Sequence, residues 1–197
     1  MPAAVRRVES EVVRDWKRCV FAFVLLWVVT PGGWRTASAE PVPAPATPSP
    51  SCPESLQLAP PTGSVTDLAD VLRHDEEAVL KREIDEMKRA GLAEMLIYLA
   101  PALPQGTTTL EDVTLCAANE WGVGDAGRDD GIIIFAFMDD RKIRIELGHG
   151  SAHAISNETA SRIISENMAP LFRQGAYGEG LRSAVNELRR LLAAASP

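Results

Sequence analysis

The fold is decided by residues 119–150, which read NEWGVGDAGRDDGIIIFAFMDDRKIRIELGHG. Residues 132–138 are an apolar run of strand length, and residues 142–147 alternate apolar and polar side chains. A continuous apolar run predicts a strand buried on both faces, whereas alternation predicts a strand with one buried face. Because only residues 139–141 separate the two, the sequence predicts a hairpin.

Further elements are predicted on both sides of this hairpin. They are a short apolar segment at 65–72, a helix from its cap Asp75 to Gly91, a strand at 94–99, a helix from its cap Thr109 to Gly122, and helices at 157–166, 168–173 and 177–194. A helix joins strand 94–99 to strand 132–138, so these two should run parallel, and the hairpin then adds an antiparallel strand. The expected fold is therefore α/β, with a small mixed sheet covered by helices on both faces.

Residues 1–39 are predicted to be an export signal. Basic residues precede the apolar run Cys19–Val29, and Ala37-Ser38-Ala39 forms a cleavage pattern before Glu40. The apolar run is shorter than the roughly 20 residues that span a membrane. We expect a periplasmic or extracellular protein that is soluble once the signal is removed; the alternative is an uncleaved N-terminal anchor.

A disordered linker is predicted at residues 40–62, because this stretch is rich in Pro, Ala and Ser. One folded domain is expected to follow at residues 63–195. Two cysteines lie beyond the signal, Cys52 in the linker and Cys116 in a predicted helix. They could pair in an oxidising compartment, but the preferred interpretation of Cys116 is an unpaired, buried, small hydrophobic residue.

Charge excludes some classes of partner. Residues 1–39 hold six of the 20 Lys and Arg and three of the 27 Asp and Glu, so the remainder carries 14 against 24, a net charge of −10. Such an acidic chain is a poor match for nucleic acid or an anionic lipid surface, and it suits a cation or a basic partner better.

Acidic residues are the first candidates for a site. They are Asp67, Asp125, Asp129, Asp130, Asp139, Asp140 and Glu146. Carboxylate oxygens suit a hard cation such as calcium or magnesium, although the spacing is not that of an EF-hand loop. Asp is also an ordinary turn residue, so solvated turns are the competing interpretation.

Histidine and arginine residues are the other candidates. His149 lies between Gly148 and Gly150, and we interpret it as a loop residue beside a site, because no zinc-ligand spacing accompanies it. Arg141 and Arg144 could hold a phosphate or a carboxylate, although pairing with Asp140 or Glu146 is the favoured interpretation. No nucleophile elbow, P-loop or dinucleotide fingerprint is present, so no organic cofactor is expected.

From Val65 to about Leu188 the chain resembles the TPM domain family, which includes thylakoid-lumen photosystem II repair proteins and many bacterial exported proteins. The resemblance rests on Val65-Thr66-Asp67 for V-x-D, Trp121-Gly122-Val123-Gly124 for W-G-I-G, Asp129-Asp130-Gly131-Ile132 for D-N-G-[VI], residues 140–150 for D-R-K-x-R-I-E-x-G-Y-G, and Pro170-Leu171-Phe172-Arg173 with Gly175 and Tyr177 for P-x-F-R-x-G-x-Y. Each piece is weak alone, but five in order are specific.

The resemblance implies a Rossmann-like α/β/α sandwich that binds a divalent cation, often calcium, near its loops. It matches Asp67, Asp129 and Arg141 to polar positions of the family; we add Asp130 and Asn157 to the candidate metal ligands and His149 to the candidate site. The chain departs from the family where Ala152 stands in place of Glu and Asn157 in place of Asp. Fewer charged ligands lower calcium affinity.

Two functions follow from the resemblance. Some members are acid phosphatases, and others are accessory factors of membrane complexes. The two lost carboxylates favour a non-enzymatic accessory or binding factor for the assembly or maintenance of an envelope protein. The alternative is a metal-assisted acid phosphatase of low specificity, because phosphate chemistry relies on metal or cationic groups that stabilise charge.

Overall fold

A computed structural model describes residues 52–53, 56–106 and 109–196. The predicted export signal at 1–39 and residues 40–51 of the predicted linker lie outside the described residues. Within the described ranges, no helix is long and apolar enough to cross a membrane.

Four strands form one sheet in the order β1-β2-β3-β4. The strands are β1 (Val65–Asp67), β2 (Glu94–Ala100), β3 (Gly131–Phe137) and β4 (Lys142–Leu147). The helices are α1 (His74–Arg89), α2 (Leu110–Trp121), α3 (His149–Ala152), α4 (Asn157–Ile163), a π-helical turn (Ile164–Met168), α5 (Ala169–Phe172) and α6 (Tyr177–Ala195). Strands β1, β2 and β3 are parallel, and β4 is antiparallel to β3, which confirms the predicted mixed sheet.

Helices cover both faces of the sheet. On one face α1, α4 and α6 pack over alternate strand residues such as Ile97 and Ile134. On the other face α2 packs over Tyr98 and Phe135. All of β3 is buried, while β4 packs Ile143, Ile145 and Leu147 against the core on the α1, α4 and α6 face. The predicted three-layer α/β/α sandwich and its hairpin are therefore confirmed.

One strand was not predicted, and one local prediction is wrong. The apolar segment at 65–72, to which no secondary structure was assigned, contains strand β1, whose three residues pair with Ile97, Tyr98 and Leu99 of β2. Three residues are too few to show a periodic pattern. Asp75 is not the cap of α1, because Arg73 occupies that position and the Glu76 carboxylate accepts the Arg73 backbone N–H. Gly91, with φ of +69°, follows the end of α1 as predicted.

Described residues before Gly63 pack against the domain. Leu56 and Leu58 contact the core on the α2 face, and the Tyr98 hydroxyl donates to the Ala59 carbonyl at 3.0 Å. A disulfide joins Cys52 to Cys116, with the two Cα atoms 5.6 Å apart, so the interpretation of Cys116 as an unpaired hydrophobic residue is wrong. Burial patterns along one helix carry no information on the approach of a residue 64 positions away.

The disulfide should contribute measurably to stability. Closing a loop of 64 residues restricts the unfolded chain by about 4 kcal/mol in the chain-entropy model. We expect dithiothreitol to lower the Tm of the full chain by roughly 10–20 °C, the shift that such a loss gives in a domain of this size. The Cys52→Ser/Cys116→Ser double variant is the control, because its lower Tm should not respond to dithiothreitol. Equal Tm values for the oxidised and reduced wild type would contradict this expectation.

Candidate functional site

The loops that precede β3 and follow β4 meet at one edge of the sheet, because these strands are antiparallel. We call it the amino edge, since β2 and β3 begin there. Its backbones approach so closely that glycine is required. A β-carbon at Gly131 would lie 1.9 Å from the Val123 carbonyl oxygen, and one at Gly150 would lie 1.9 Å from the Arg128 carbonyl oxygen. The glycines of the quoted stretch therefore allow the two loops to pack backbone against backbone.

Asp129 links these loops through hydrogen bonds. Its Oδ2 accepts the backbone N–H of His149 at 3.0 Å and lies 2.7 Å from Nδ1 of the same residue. Its carbonyl accepts the Gly150 N–H at 2.8 Å. The backbone N–H of His149 and then its ring hold the pKa of the Asp129 carboxyl below its ordinary value. The exposed side chains of His149 and Asp129 thus form a surface pair.

Asp130 is buried beneath this pair and completes the loop. Its Oδ1 accepts the Asp125 backbone N–H at 2.9 Å, and its carbonyl accepts the Ser151 hydroxyl at 3.0 Å. Oδ2 lies 2.8 Å from Nη2 of Arg128, an ion pair whose alignment is not that of a hydrogen bond. Arg128 also donates to the Gly91 carbonyl at 2.8 Å. Asp130 therefore stabilises the loop from inside.

Asp67 lies at the opposite edge, which we call the carboxyl edge because β1, β2 and β3 end there. Its carboxylate accepts the backbone N–H groups of Ala69, Val71 and Leu72 at 3.2, 3.0 and 2.8 Å. In the strand register, Asp67 of β1 is paired with Leu99 of β2, and Leu99 is paired with Ala136 of β3. Ala136 lies five residues beyond Gly131, which corresponds to about 17 Å along the strand. Asp67 and Asp129 are therefore not neighbours.

The structure does not gather the predicted metal ligands at one point. Asn157 is exposed in the first turn of α4, and no hydrogen bond among the described residues joins it to Asp129 or Asp130. In the described ranges, no group of three or more His, Cys, Asp or Glu side chains is placed to hold a metal ion. Calcium or magnesium binding remains a prediction from the sequence.

Arg144 is committed to ion pairs, as predicted. Its Nε lies 2.5 Å from Oε1 of Glu146, and its Nη2 lies 2.6 Å from Oε1 of Glu111. The Thr114 hydroxyl also donates to Oε1 of Glu146 at 2.6 Å. This network joins α2 to β4 and occupies Nε and Nη2 of Arg144.

A cavity of about 480 Å³ opens at the carboxyl edge, between the β3–β4 turn and the start of α6. Three cations line it: Arg141, Lys142 and Arg173. None of the ion pairs among the described residues includes any of them. The predicted pairing of Arg141 with Asp140 is not formed; Oδ2 of Asp140 accepts the Leu103 N–H at 2.7 Å.

Aromatic side chains form the other wall of this carboxyl-edge cavity. The rings of Phe172 and Tyr177 meet edge to face, with centroids 5.2 Å apart. Gly180 admits Phe172 against α6, because a β-carbon there would lie 2.8 Å from the Phe172 ring. Of the cavity residues, sequence reasoning selected Arg141 as a site residue and missed Lys142, Arg173 and Tyr177. Their presence in the family-like motifs was the available signal.

Comparison with known proteins agrees with this architecture. The TPM domain family model matches residues 65–191. The N-terminal domain of a P. gingivalis protein is 32% identical, with a TM-score of 0.61 over 68% of this chain and 83% of that one. The BA42 protein from the psychrophilic bacterium Bizionia argentinensis is 16% identical, with a TM-score of 0.54 over 64% of this chain and 84% of its own. No curated protein matches the chain.

A third solved structure shares the fold. The N-terminal domain of the cg2496 protein from Corynebacterium glutamicum is 12% identical, with a TM-score of 0.53 over 69% of this chain and 84% of that one. At this identity the likeness concerns the fold alone.

The close packing at Gly131 can be tested by adding one methyl group. Gly131→Ala places that methyl 1.9 Å from the Val123 oxygen, so we expect a destabilisation of about 3 kcal/mol or more. Gly63→Ala is the matched control, because nothing lies within 4 Å of its β-carbon. Urea unfolding followed by circular dichroism measures both. Equal midpoints for the two variants would show that the loops do not require glycine.

The Asp129 pair predicts a dependence of stability on pH. Because folding lowers the pKa of this carboxyl, its contribution is present above the unfolded value of about 3.9 and is lost as pH falls through the folded value. The Tm difference between wild type and Asp129→Asn should therefore be largest near neutral pH and should close in acid. Asn tolerates the positive φ of this position. A Tm difference that stays constant throughout the acid range would refute the assignment.

Proposed function

The chain belongs to the TPM domain family, and within that family we propose that it is a non-enzymatic accessory domain that binds a segment of an envelope protein during assembly or maintenance. The observation that carries this proposal is the state of the acidic residues. Asp67 and Asp129 accept backbone N–H groups at opposite edges of the sheet, and Asp130 is buried inside a loop. These carboxylates order loops, and so they are not free to act together on a substrate.

The carboxyl-edge cavity supports binding for a second reason. Its lining residues include three cations and three aromatic side chains next to Met138 and Ile143, but no carboxylate, His, Ser or Cys. Concave, largely apolar surfaces with a few charged groups are typical of ligand sites. The lining therefore lacks the carboxylate or His that most often serves as general base; Lys142 and Tyr177 are its titratable groups besides Arg.

The metal-assisted phosphatase is the less supported function. The cations of the cavity could hold a phosphate, which is the one feature in its favour. Metal-assisted hydrolysis, however, needs ligands that converge on an ion beside the substrate, and Asp67 lies about 17 Å along the sheet from the level of Gly131. Asn157 supplies no charge to either edge.

An oxidising location is part of this proposal. The Cys52–Cys116 disulfide is typical of exported proteins, since cytosolic thiols are kept reduced. The predicted export signal points to the same compartment.

Two measurements test the proposed function together. A photo-crosslinking amino acid at Ile143, in the cavity wall, is expected to join the chain to a discrete envelope protein in living cells. The same group at Arg89, exposed in the last turn of α1 and near the amino edge, is the control and should not form that product. The purified full chain is expected to show no calcium- or magnesium-stimulated hydrolysis of p-nitrophenyl phosphate.

The contrary result is defined by paired variants. Metal-stimulated hydrolysis that Asp129→Asn abolishes would overturn the proposal in favour of the phosphatase. Asp70→Asn is the matched control for that assay, because Asp70 is also an exposed Asp with positive φ, +51° against +48° for Asp129. Identical crosslinked products from positions 143 and 89 would remove the cavity from the proposal.

A further inference from the structure

We propose that the carboxyl-edge cavity binds the free C-terminal carboxylate of a polypeptide whose last side chain is apolar. This inference rests on the proposed function and names the part of the partner that the site would recognise. It is carried by the arrangement of charge and apolar surface around one opening and by the backbone conformation of Arg141. A further support is that the Asp140 and Glu76 carboxylates accept backbone N–H groups.

The cavity has an apolar interior and a cationic rim. Met138, Ile143, Ala169 and Phe172 are half-buried lining residues, and the lining continues to the buried Phe137. The side chains of the cations are exposed at the opening. A matching ligand places an apolar group inside and a single anionic group at the mouth, as a chain terminus with an apolar last residue does.

Among the described residues, none of the three rim cations forms an ion pair. Arg141, Lys142 and Arg173 are all exposed and line the same opening, although the chain as a whole is acidic. Arg guanidinium groups match the planar geometry of a carboxylate through paired N–H donors. Two Arg and one Lys at one opening therefore favour an anionic group there, and a carboxylate matches the Arg geometry.

Two acidic side chains of this region, Asp140 and Glu76, already accept backbone hydrogen bonds. The Asp140 carboxylate accepts the Leu103 N–H. The Glu76 side chain packs against Gly178 at the start of α6 and accepts the Arg73 N–H, so the positive end of this helix is already faced by a carboxylate. The inference therefore depends on the rim cations and not on the helix terminus.

Arg141 holds a backbone conformation that disfavours an arginine. Its φ is +53°, and its N–H donates to the Met138 carbonyl at 3.2 Å to close the β3–β4 turn. Glycine is the usual residue at such a position, because a side chain there is strained. Strained residues of this kind cluster at ligand sites. The turn gives up local stability and places a guanidinium at the cavity mouth.

The peptide acetyl-Ala-Ala-Phe with a free carboxylate tests the inference against its C-terminal amide. We expect calorimetric titration of the oxidised full chain to show binding of the acid, and at least about tenfold weaker binding of the amide, since the amide loses the charge-assisted hydrogen bonds. Affinity for the acid should fall as salt rises, because exposed charges are screened. Equal affinity for the two peptides, or no binding of the acid, would overturn the inference.

Charge-removing variants identify the cavity as the site. Arg141→Gly removes the guanidinium and relieves the positive φ, so its Tm should not fall while its affinity for the acid falls at least about tenfold. Arg173→Gln should weaken binding in the same way. Because Arg173 lies outside the β3–β4 turn, this variant shows that the loss of affinity does not come from a change in the turn. Arg89→Gln removes an equal charge near the amino edge and should leave affinity unchanged. Unchanged affinity in both cavity variants would place binding elsewhere and overturn the inference.

Phenyl phosphate separates a chain terminus from a phosphorylated ligand. Binding of this probe about tenfold or more tighter than the peptide acid would overturn the inference in favour of a phosphate ligand. Failure of the inference is distinct from failure of the proposed function. A peptide acid that does not bind leaves the crosslink at position 143 and the absence of hydrolysis intact, whereas metal-stimulated hydrolysis would remove the proposed function itself.

Discussion

The approach of backbone to backbone at the amino edge is the constraint on which the rest of the structure depends. Gly131 opens β3 against the Val123 carbonyl, and Gly150 lies against the Arg128 carbonyl. Because no side chain fits between these segments, the loop before β3 and the loop after β4 form one packed unit. This unit begins β3 at Gly131, ends β4 at Leu147 and presents Asp129 to the His149 N–H.

A dense group of carboxylates is commonly taken as a sign of a metal site, but these carboxylates accept backbone N–H groups of their own loops. A carboxylate that accepts several backbone N–H groups can order a turn without any ion. Asp67 accepts three such groups, and Asp125 accepts those of Gly127 and Arg128 through Oδ1. Two tight turns that would otherwise leave N–H groups unsatisfied are stabilised in this way, at opposite ends of the parallel strands.

Local features of this chain follow from the sequence, whereas long-range ones do not. The contrast between the all-apolar β3 and the alternating β4 predicts the hairpin, the antiparallel edge and the two-faced sheet. The three residues of β1, the pairing of Cys52 with Cys116 and the separation of Asp67 from Asp129 depend on which segments meet in space. In particular, β1 must run parallel to β2 before Asp67 can be placed at the carboxyl edge.

Net charge and local charge point to different partners for this protein. The acidic total predicts attraction of cations or basic proteins at long range. Exposed charges are screened beyond about 8 Å in physiological salt, so a bound group responds to the side chains immediately around it. At the carboxyl-edge cavity these are Arg141, Lys142 and Arg173, without an ion-paired carboxylate among the described residues. The same acidic chain therefore offers an anionic ligand a favourable site, which the sum of its charges conceals.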